Sequence, residues 1–576
     1  MAYGAAARLT NDPLIGMSLR EEAAILEALR DFAQLQVVRS AFAAQWEEVA
    51  ALILPAYRGT FFPYGGHFPG MKKSEQQVDS SGMLALSRFT AIMDSLSTPR
   101  NQKWHGLEAD DPYVMKDRQT RLWFQQVTDI LFKWRYAPQA GYARQNSNVW
   151  QLLGAFGVGP MFIDAFHGGP GLRYRALSTG SWFMAEDHQG IVHRGIRWWR
   201  MTALQACVQW PDMCEQVPVL ATAIKQQSQQ MFDFLHRIVP RDEQDYDPER
   251  RDARGKPWKS QYICVQGRRL MQPEGGYRTF PVACTRYDQA PNEVYSRGPA
   301  MHVLPALKTL NAQKRVYLKV GHRAADPVLL TADDGLVDFT MRPGARNAGA
   351  VTPDGKPLVH TLPVGDPRIT KEQMAEEKGL INDAFLVSLF QILTESPQMS
   401  ATEVIERVNE KGILIAPQAG GQQSEYLGPK IHRELDVLSS QGLLPPMPPR
   451  LREARGAYQI VYTSPLARAA RAQEAAGFMR TVEHGKELIA ITGDSSVLDP
   501  LNMDKGIRGI AEINGVREDW MASEEEIDAK RKNRAAAQQQ EQQIKMAPAQ
   551  AAMMKAQAVQ AKAGMQQPQQ QGEMTQ

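Results

Sequence analysis

Few residue patterns in this 576-residue chain could carry chemistry. Gly65-Gly66-His67-Phe68-Pro69-Gly70-Met71-Lys72-Lys73-Ser74 resembles a phosphate-cradling loop, but Met71 stands where GxxxxGK[ST] needs its lysine and no buried strand precedes it. His188 and His193 lack the glutamate of HExxH between them and have no evident third ligand, so they read as surface histidines flanking a hairpin. Asp245-x-Asp247, Asp333-Asp334 and Glu108-Ala-Asp-Asp111 could each hold Mg²⁺ in a nuclease. Each lies in turn-like sequence, where an aspartate more simply caps backbone donors. There is no GxSxG elbow, no Cys-His nucleophile signature and no GxGxxG. The reading is of no enzyme, no catalytic or metal residues and no cofactor, with a metal-dependent nuclease on Asp333-Asp334 as an outlying alternative.

The basic residues say more once placed on elements. Apolar periodicity predicts a helix over Pro299–Ala324, and Lys308, Arg315, Lys319 and His322 share one face of it. In a ring, symmetry would turn each such residue into a charged belt around the axis. Upstream, Ser18-x-x-Glu21 is a capping-box pattern that starts a helix, and a second run with Trp46, Val49 and Ile53 stops at Pro55. Helices follow from Ser81 to Pro99, over Asp117–Tyr136 and over Asn146–Phe156. From Gly157 to Arg200 short alternating runs predict antiparallel sheet. Helix resumes over Thr202–Lys225, interrupted near Pro211 and Pro218. Ser260–Gln266 and Thr279–Tyr287 read as paired strands around the Pro273–Gly276 turn. Arg342–Pro357 reads as a mobile loop, and Thr370 caps a helix reaching Leu393. Ser400–Asn409, Pro429–Ser440, Ser464–Glu487 and Ser523–Gln543 are further helices, with a stiff break at Pro445–Pro449.

Composition narrows the class. Sixty-six basic and 63 acidic side chains leave a net charge of +3, which argues against a protein that grips nucleic acid over its whole surface. Four cysteines, Cys207, Cys214, Cys264 and Cys284, are too few and too irregular for a disulfide framework and read as inert thiols of a reducing compartment. The N-terminus has no signal-peptide pattern, and no stretch reaches the roughly 18 apolar residues of a membrane helix. Fourteen of the last 40 residues are Gln, which favours disorder for the tail.

The order of several stretches resembles the head-to-tail connector, or portal, proteins of short-tailed bacteriophages, from about Arg39 to Arg534. They are Trp46–Pro55, Asp79-Ser-Ser-Gly82 with Leu96–Pro99 and Trp104, Gly154–Asp164, Arg237-Ile-Val-Pro-Arg241, Pro257-Trp258-x-Ser260 and Tyr277-x-x-Phe280-Pro281. Tyr295-Ser-Arg-Gly-Pro-Ala300 with Leu310-Asn311, Met399–Val404, Leu427-Gly-Pro429 and Gly442–Pro446 complete the series. Ser296 departs from the family's glycine, and Gly420-Gly421 lengthens the approach to Leu427.

The resemblance implies an α+β, mainly α portal-type fold with a helical wing, two-helix stem, small α/β clip, helical crown and low-complexity C-terminal tail. On that plan residues 1–200 are wing, 201–225 and 296–326 stem helices, 226–295 clip and 327–398 wing, with a tunnel loop and valve at about 342–371. Residues 399–522 are crown, and 523–576 a barrel helix and disordered tail. It implies a DNA conduit and gate at one capsid vertex of the virion, assembled in the host cytoplasm as a homo-oligomer, a dodecamer, away from any membrane. Its partners would be the major capsid and scaffolding proteins, the terminase large subunit, a tail adaptor, internal ejection proteins and double-stranded DNA held without sequence preference. Arg346, Lys356, Arg368 and Lys371 would lie near DNA at the valve, and Lys308, Arg315 and Lys319 on the stem. A tail adaptor or scaffold that never touches DNA is the main alternative.

Overall fold

The computed structural model describes residues 19–62, 70–330, 340, 342–363, 367–387, 420–463, 465–493, 498–513, 516, 520–522 and 524–564. Ser18, the Ser400–Asn409 helix, Asp333-Asp334 and the first half of the Gly65–Ser74 loop fall outside these residues. Helix α1 runs unbroken over Leu19–Leu52, so the two expected runs are one: no Gly or Pro interrupts the sequence between them. Its Trp46 and Val49 are fully buried. Helices α2 (Ser81–Ser97), α3 (Arg118–Arg135) and α4 (Tyr142–Phe156) follow. Asp117 caps α3 by accepting from the Thr120 amide at 3.1 Å.

Strands β2 (Val158–Ala165), β3 (Leu172–Ala176), β4 (Trp182–Glu186) and β5 (Val192–Thr202) occupy the region expected to be antiparallel sheet. Between β5 and β6 (Met231–Pro240) lie three short helices, α5 (Ala203–Gln209), α6 (Pro211–Cys214) and α7 (Pro218–Lys225). Trp210, Val217 and Leu220 pack there with Phe232 and Phe234 as a separate small core. A disulfide joins Cys207 to Cys214, so two of the four cysteines are not the inert thiols expected; the seven-residue spacing lets α6 fold back on α5.

The expected pairing of Ser260–Gln266 with Thr279–Tyr287 is replaced by another. Strand β7 (Trp258–Cys264) pairs with β6 and with the short β8 (Arg269–Leu270) and β9 (Gly275–Tyr277), whereas β10 (Val282–Arg286) crosses to β2. Every residue of β10 is buried, so it needs cover on both faces, which the edge of the β7 hairpin cannot supply. The result is a sheet ordered β4-β5-β6-β7-β8 and a second ordered β10-β2-β3. Strands from the 226–295 stretch thus share both sheets with strands of the first 202 residues: β5 pairs β6 from Gly195 with Ile238 to Thr202 with Met231.

A short turn, α8 (Pro299–His302), leads into α9 (Leu304–Ala325). A two-residue hairpin, β11 (Leu329–Leu330) with β12 (His360–Thr361), precedes α10 (Pro367–Ala384). Helix α10 begins three residues before Thr370, because Pro367 already has the φ of a first helical turn and needs no amide partner there. It ends at Ala384, and Leu386 takes a positive φ of 60°; the expected end at Leu393 lies outside the described residues. Helix α11 (Gly428–Ser440), the five-residue α12 (Pro449–Glu453), strand β13 (Tyr458–Tyr462), α13 (Pro465–Thr492) and α14 (Met503–Ile513) follow. Strand β13 pairs with β1 (His105–Ala109), a long-range pair absent from the sequence reading. Helix α15 runs over Glu524–Gly564, well into the stretch whose composition suggested disorder, since Ala, Gln, Lys and Met are all good helix formers.

The two halves of the chain are tied by buried charge. Arg135 of α3 donates through Nε to both Glu434 carboxylate oxygens of α11 at 3.2 Å, its Nη2 adds a third bond, and both side chains have zero exposure. Burial alone would lower the Arg135 pKa, but Glu434 holds the guanidinium firmly charged. Tyr174 also donates to Glu434 at 2.8 Å. Lys430, one turn earlier on α11, donates to Tyr142 at 2.6 Å inside a box of Trp104, Tyr142 and Tyr426 rings. Burial, with Arg135 beside it, pushes the Lys430 amine well below the usual lysine range.

Glu434→Ala leaves Arg135 buried without its counter-ion and should cost about 3–5 kcal/mol in denaturant unfolding; a loss under about 1 kcal/mol would contradict the tie. Lys430 is proton-poor when folded and regains its proton on unfolding. Its contribution to stability is therefore fully present above the unfolded pKa of roughly 10.4 and falls as pH drops toward the folded value. Lys430→Met should flatten the rise in stability between about pH 8 and pH 10 and raise stability at neutral pH by about 1–4 kcal/mol. An unchanged pH slope would show that the amine is not the group responsible.

Candidate functional site

The sequence-predicted basic residues converge on one arm formed by α9, the 340–363 segment and α10. Leu307 and Leu310 are buried, and Gly82 of α2 lies so close that a Cβ there would meet Leu307 Cδ2 at 2.6 Å. At the same end Phe385, just past α10, packs edge-on against Phe89 of α2 with centroids 6.1 Å apart. Helices α9 and α10 therefore run antiparallel, rooted on α2 and joined at the far end by β11 and β12. Asn311 fixes the root: Oδ1 accepts from the Val78 and Asp79 amides at 2.8 and 3.3 Å, and Nδ2 donates to the Gln76 carbonyl at 2.8 Å. The Asp79-Ser-Ser-Gly82 and Leu310-Asn311 stretches are thus one joint.

Helix α9 carries Lys308, Lys314, Arg315, Lys319 and Arg323 and no acid before Asp326. Lys308 and Glu48 of α1 form an exposed ion pair at 2.6 Å, and Arg315 donates to the Gln76 carbonyl at 3.0 Å. Lys319 is exposed and makes no ion pair or hydrogen bond to another described residue. Arg346, Lys356 and Lys371 are exposed on the outer half of the arm. Arg368 lies in the first turn of α10, and its side chain is outside the described residues. Three of the four acids of α10, Glu372, Glu376 and Asp383, drew no attention in the sequence. Their spacing of four and then seven, which puts them on one helical face, was the signal available.

The segment expected to be a mobile loop is a succession of closed turns. Asn347 exchanges two hydrogen bonds with Thr340, at 2.9 and 3.0 Å. Val351 bridges to Pro357, the Thr352 amide donates to the Lys356 carbonyl at 2.8 Å, and the Gly355 amide donates to the Thr352 carbonyl at 2.9 Å. Pro353-Asp-Gly355 supplies this turn because Gly355 accepts a φ of 79° at no steric cost. Lys356 is thereby held at the base of a tight hairpin rather than on a loose strand.

The other candidates for chemistry resolve into structure. Asp245 pairs with Arg241 and Lys259, which hold its carboxyl below the usual range despite partial burial. The Asp247 carboxylate accepts from the Glu249 amide, and that of Asp111 from the Tyr113 amide. His188 lies in the β4–β5 turn, and the His193 carbonyl accepts from Trp258 Nε1 at 3.1 Å. Among the described residues no three His, Cys, Asp or Glu side chains converge as metal ligands. The densest titratable cluster, around Arg135, Glu434 and Lys430, is sealed from solvent and offers no room for a substrate.

The stretches quoted for the resemblance act mostly as joints. Arg237 reaches Glu27 and Asp31 of α1, and Arg241 reaches Asp245 and Glu274. Ser296, where the family pattern has glycine, is fully buried and donates to the Gly157 carbonyl, so its hydroxyl is satisfied. Gly442 takes a φ of 69° after α11, and the Pro445 carbonyl accepts from Trp123 Nε1 at 3.1 Å.

A family model described as "Bacteriophage head to tail connecting protein" matches residues 26–521. A protein of Bordetella phage BPP-1 named "Probable portal protein" is 27% identical over 529 residues, covering 89% of this chain and 92% of its own length. The "Portal protein" of Salmonella phage epsilon15 is 24% identical over 549 residues, covering 90% and 92%. A chain from the neck of an empty GTA particle overlaps 65% of this chain and 82% of its own, at 13% identity and a TM-score of 0.30, too loose for a structural argument.

The turn at Gly355 can be tested directly. A side chain there meets no neighbour, so Gly355→Val pays only the left-handed backbone cost of about 1–2 kcal/mol. Hydrogen exchange should show the Thr352 and Lys356 amides losing protection by roughly 5–30-fold with global unfolding unchanged. Unaltered protection would mean that the hairpin is not held by this turn.

Proposed function

The chain belongs to the family of bacteriophage head to tail connecting proteins, and on that premise we propose that it is the subunit of a portal. Copies close into a ring, a dodecamer, at one capsid vertex of the virion, and the ring is the conduit and gate through which the genome enters and leaves. The observation that carries this reading is the family match over residues 26–521, a range that spans the sheets, the arm and the helices up to α14. The near balance of charge fits a conduit. Each phosphate neutralised adds a salt-dependent increment to affinity, so a wall of strong cationic contacts would hold DNA rather than pass it.

The arm is the part of the subunit that suits the channel. Its outer half presents Arg346, Lys356 and Lys371, and Arg368 belongs to the first turn of α10; together they would be enough to track a phosphate backbone without reading bases. The 342–363 segment lies at the far end of the arm from the Asn311 joint and would serve as the gate. The ring would dock the terminase motor and tail adaptor on its outer faces, with scaffolding and capsid proteins around it and internal ejection proteins above. Nucleotide hydrolysis would belong to the motor.

Electron microscopy of the purified chain tests the reading. Class averages down the symmetry axis should show a closed ring with an open centre wide enough for duplex DNA. A filled disc or an open filament would instead favour a tail adaptor or scaffold.

A further inference from the structure

The basic face of α9 has a mirror on α10. Lys308, Arg315 and Lys319 follow one another at intervals of seven and four; Glu372, Glu376 and Asp383 follow at four and seven. Because the two helices are antiparallel, those series match in level. Lys319 is six residues from the end of α9 and Glu372 five from the start of α10; Arg315 is ten away and Glu376 nine; Lys308 is seventeen away and Asp383 sixteen. At 1.5 Å per residue, the members of each pair stand within about 2 Å of the same height over a stripe about 16 Å long.

Within one chain the two stripes do not meet. Met374, Ile381 and Phe385 on the α10 side are turned to the core, and the three acids occupy the opposite, exposed face. None of the three forms an ion pair or side-chain hydrogen bond with another described residue. On α9, Leu307 and Leu310 are buried while Lys308, Arg315 and Lys319 are exposed, Lys308 pairing with Glu48 and Arg315 donating to the Gln76 carbonyl of the same chain, contacts that the neighbour's acids would replace. Each outer face also carries an exposed branched apolar residue, Val316 at 53% exposure beside the basic stripe and Leu380 at 54% beside the acidic one. Apolar side chains so placed on helices with regular charge are what a covered face needs at its centre.

We propose that these two faces are the complementary halves of a head-to-tail contact between copies of this chain, the α9 stripe of one copy lying on the α10 stripe of the next. The occupant of each face is a second copy, because the complement in charge, spacing and height is printed on the chain itself. Such a contact is heterologous, so repeating it generates a ring. It rests on the portal reading above and adds which surfaces close the ring. It also moves Lys308, Arg315 and Lys319 from DNA to the neighbouring subunit, Lys308 exchanging its exposed partner Glu48 for Asp383 of the next copy. Only Lys314 and Arg323 of the α9 lysines and arginines would then remain without an acid across the contact, which lowers the drag on DNA.

Charge reversal tests this. Arg315→Glu with Lys319→Glu, and separately Glu372→Lys with Glu376→Lys, place like charges across the contact. Each variant should raise the half-assembly concentration of rings by about tenfold or more, read by sedimentation velocity, with thermal unfolding of the subunit unchanged. Mixing the two variants one to one should restore rings, since every contact in an alternating ring again joins opposite charges. Wild-type rings should also weaken with salt, because the pairs are exposed. Wild-type rings with reversed variants that assemble equally well would overturn the contact while leaving the portal reading intact, as would loss of assembly that mixing does not rescue. Absence of rings from the wild-type chain would overturn both.

Discussion

The structure depends on charges taken out of water and held by opposite charge. Arg135 and Glu434 lie 299 residues apart, and their contact sets α3 against α11 where Tyr174, Tyr142 and Lys430 complete the polar cluster. The same device recurs. Arg286 joins Glu186 to Glu425, Arg433 joins Asp164 to Asp436, and Arg237 joins α1 to β6. Buried ion pairs add little net stability over apolar contacts, but an unpaired one is costly, so each excludes registers that would separate its partners. A chain with two sheets whose strands cross between distant segments needs that kind of exclusion.

That rigid body lets the arm be thin. Helices α9 and α10 form one layer, rooted through Asn311, Leu307 and Phe385, and they leave apolar residues such as Val316 and Leu380 uncovered. In isolation this is a poor way to stabilise a pair of helices. In the proposed ring each layer would be covered by its neighbours, and the same faces that cost stability in the monomer would specify the contact.

Local elements were largely legible. The apolar stripe of α2, the Asp117 cap of α3 and the Pro299 start of α8 each follow from a few neighbouring residues. What depended on distant partners was not. Strand β1 shows no clear alternation and exists because β13, over 350 residues later, pairs with it. Val282–Arg286 looked like the partner of the nearest strand, but its complete burial sends it to β2. Thr370 offered a cap, yet the fixed φ of Pro367 started the helix earlier. In the arm, residue type alone pointed the lysines of α9 at phosphate. Only the antiparallel placement of α10 reveals acids at matching heights.

If the arm lines a conduit for the genome, the Lys356 hairpin faces DNA. The most direct measurement is site-specific photo-crosslinking in DNA-filled particles, with the reactive group placed at position 356. Crosslinks to DNA are expected at 356 and none from a control group at the exposed Ile191 in the β4–β5 turn. Crosslinks to protein alone at 356 would contradict that placement.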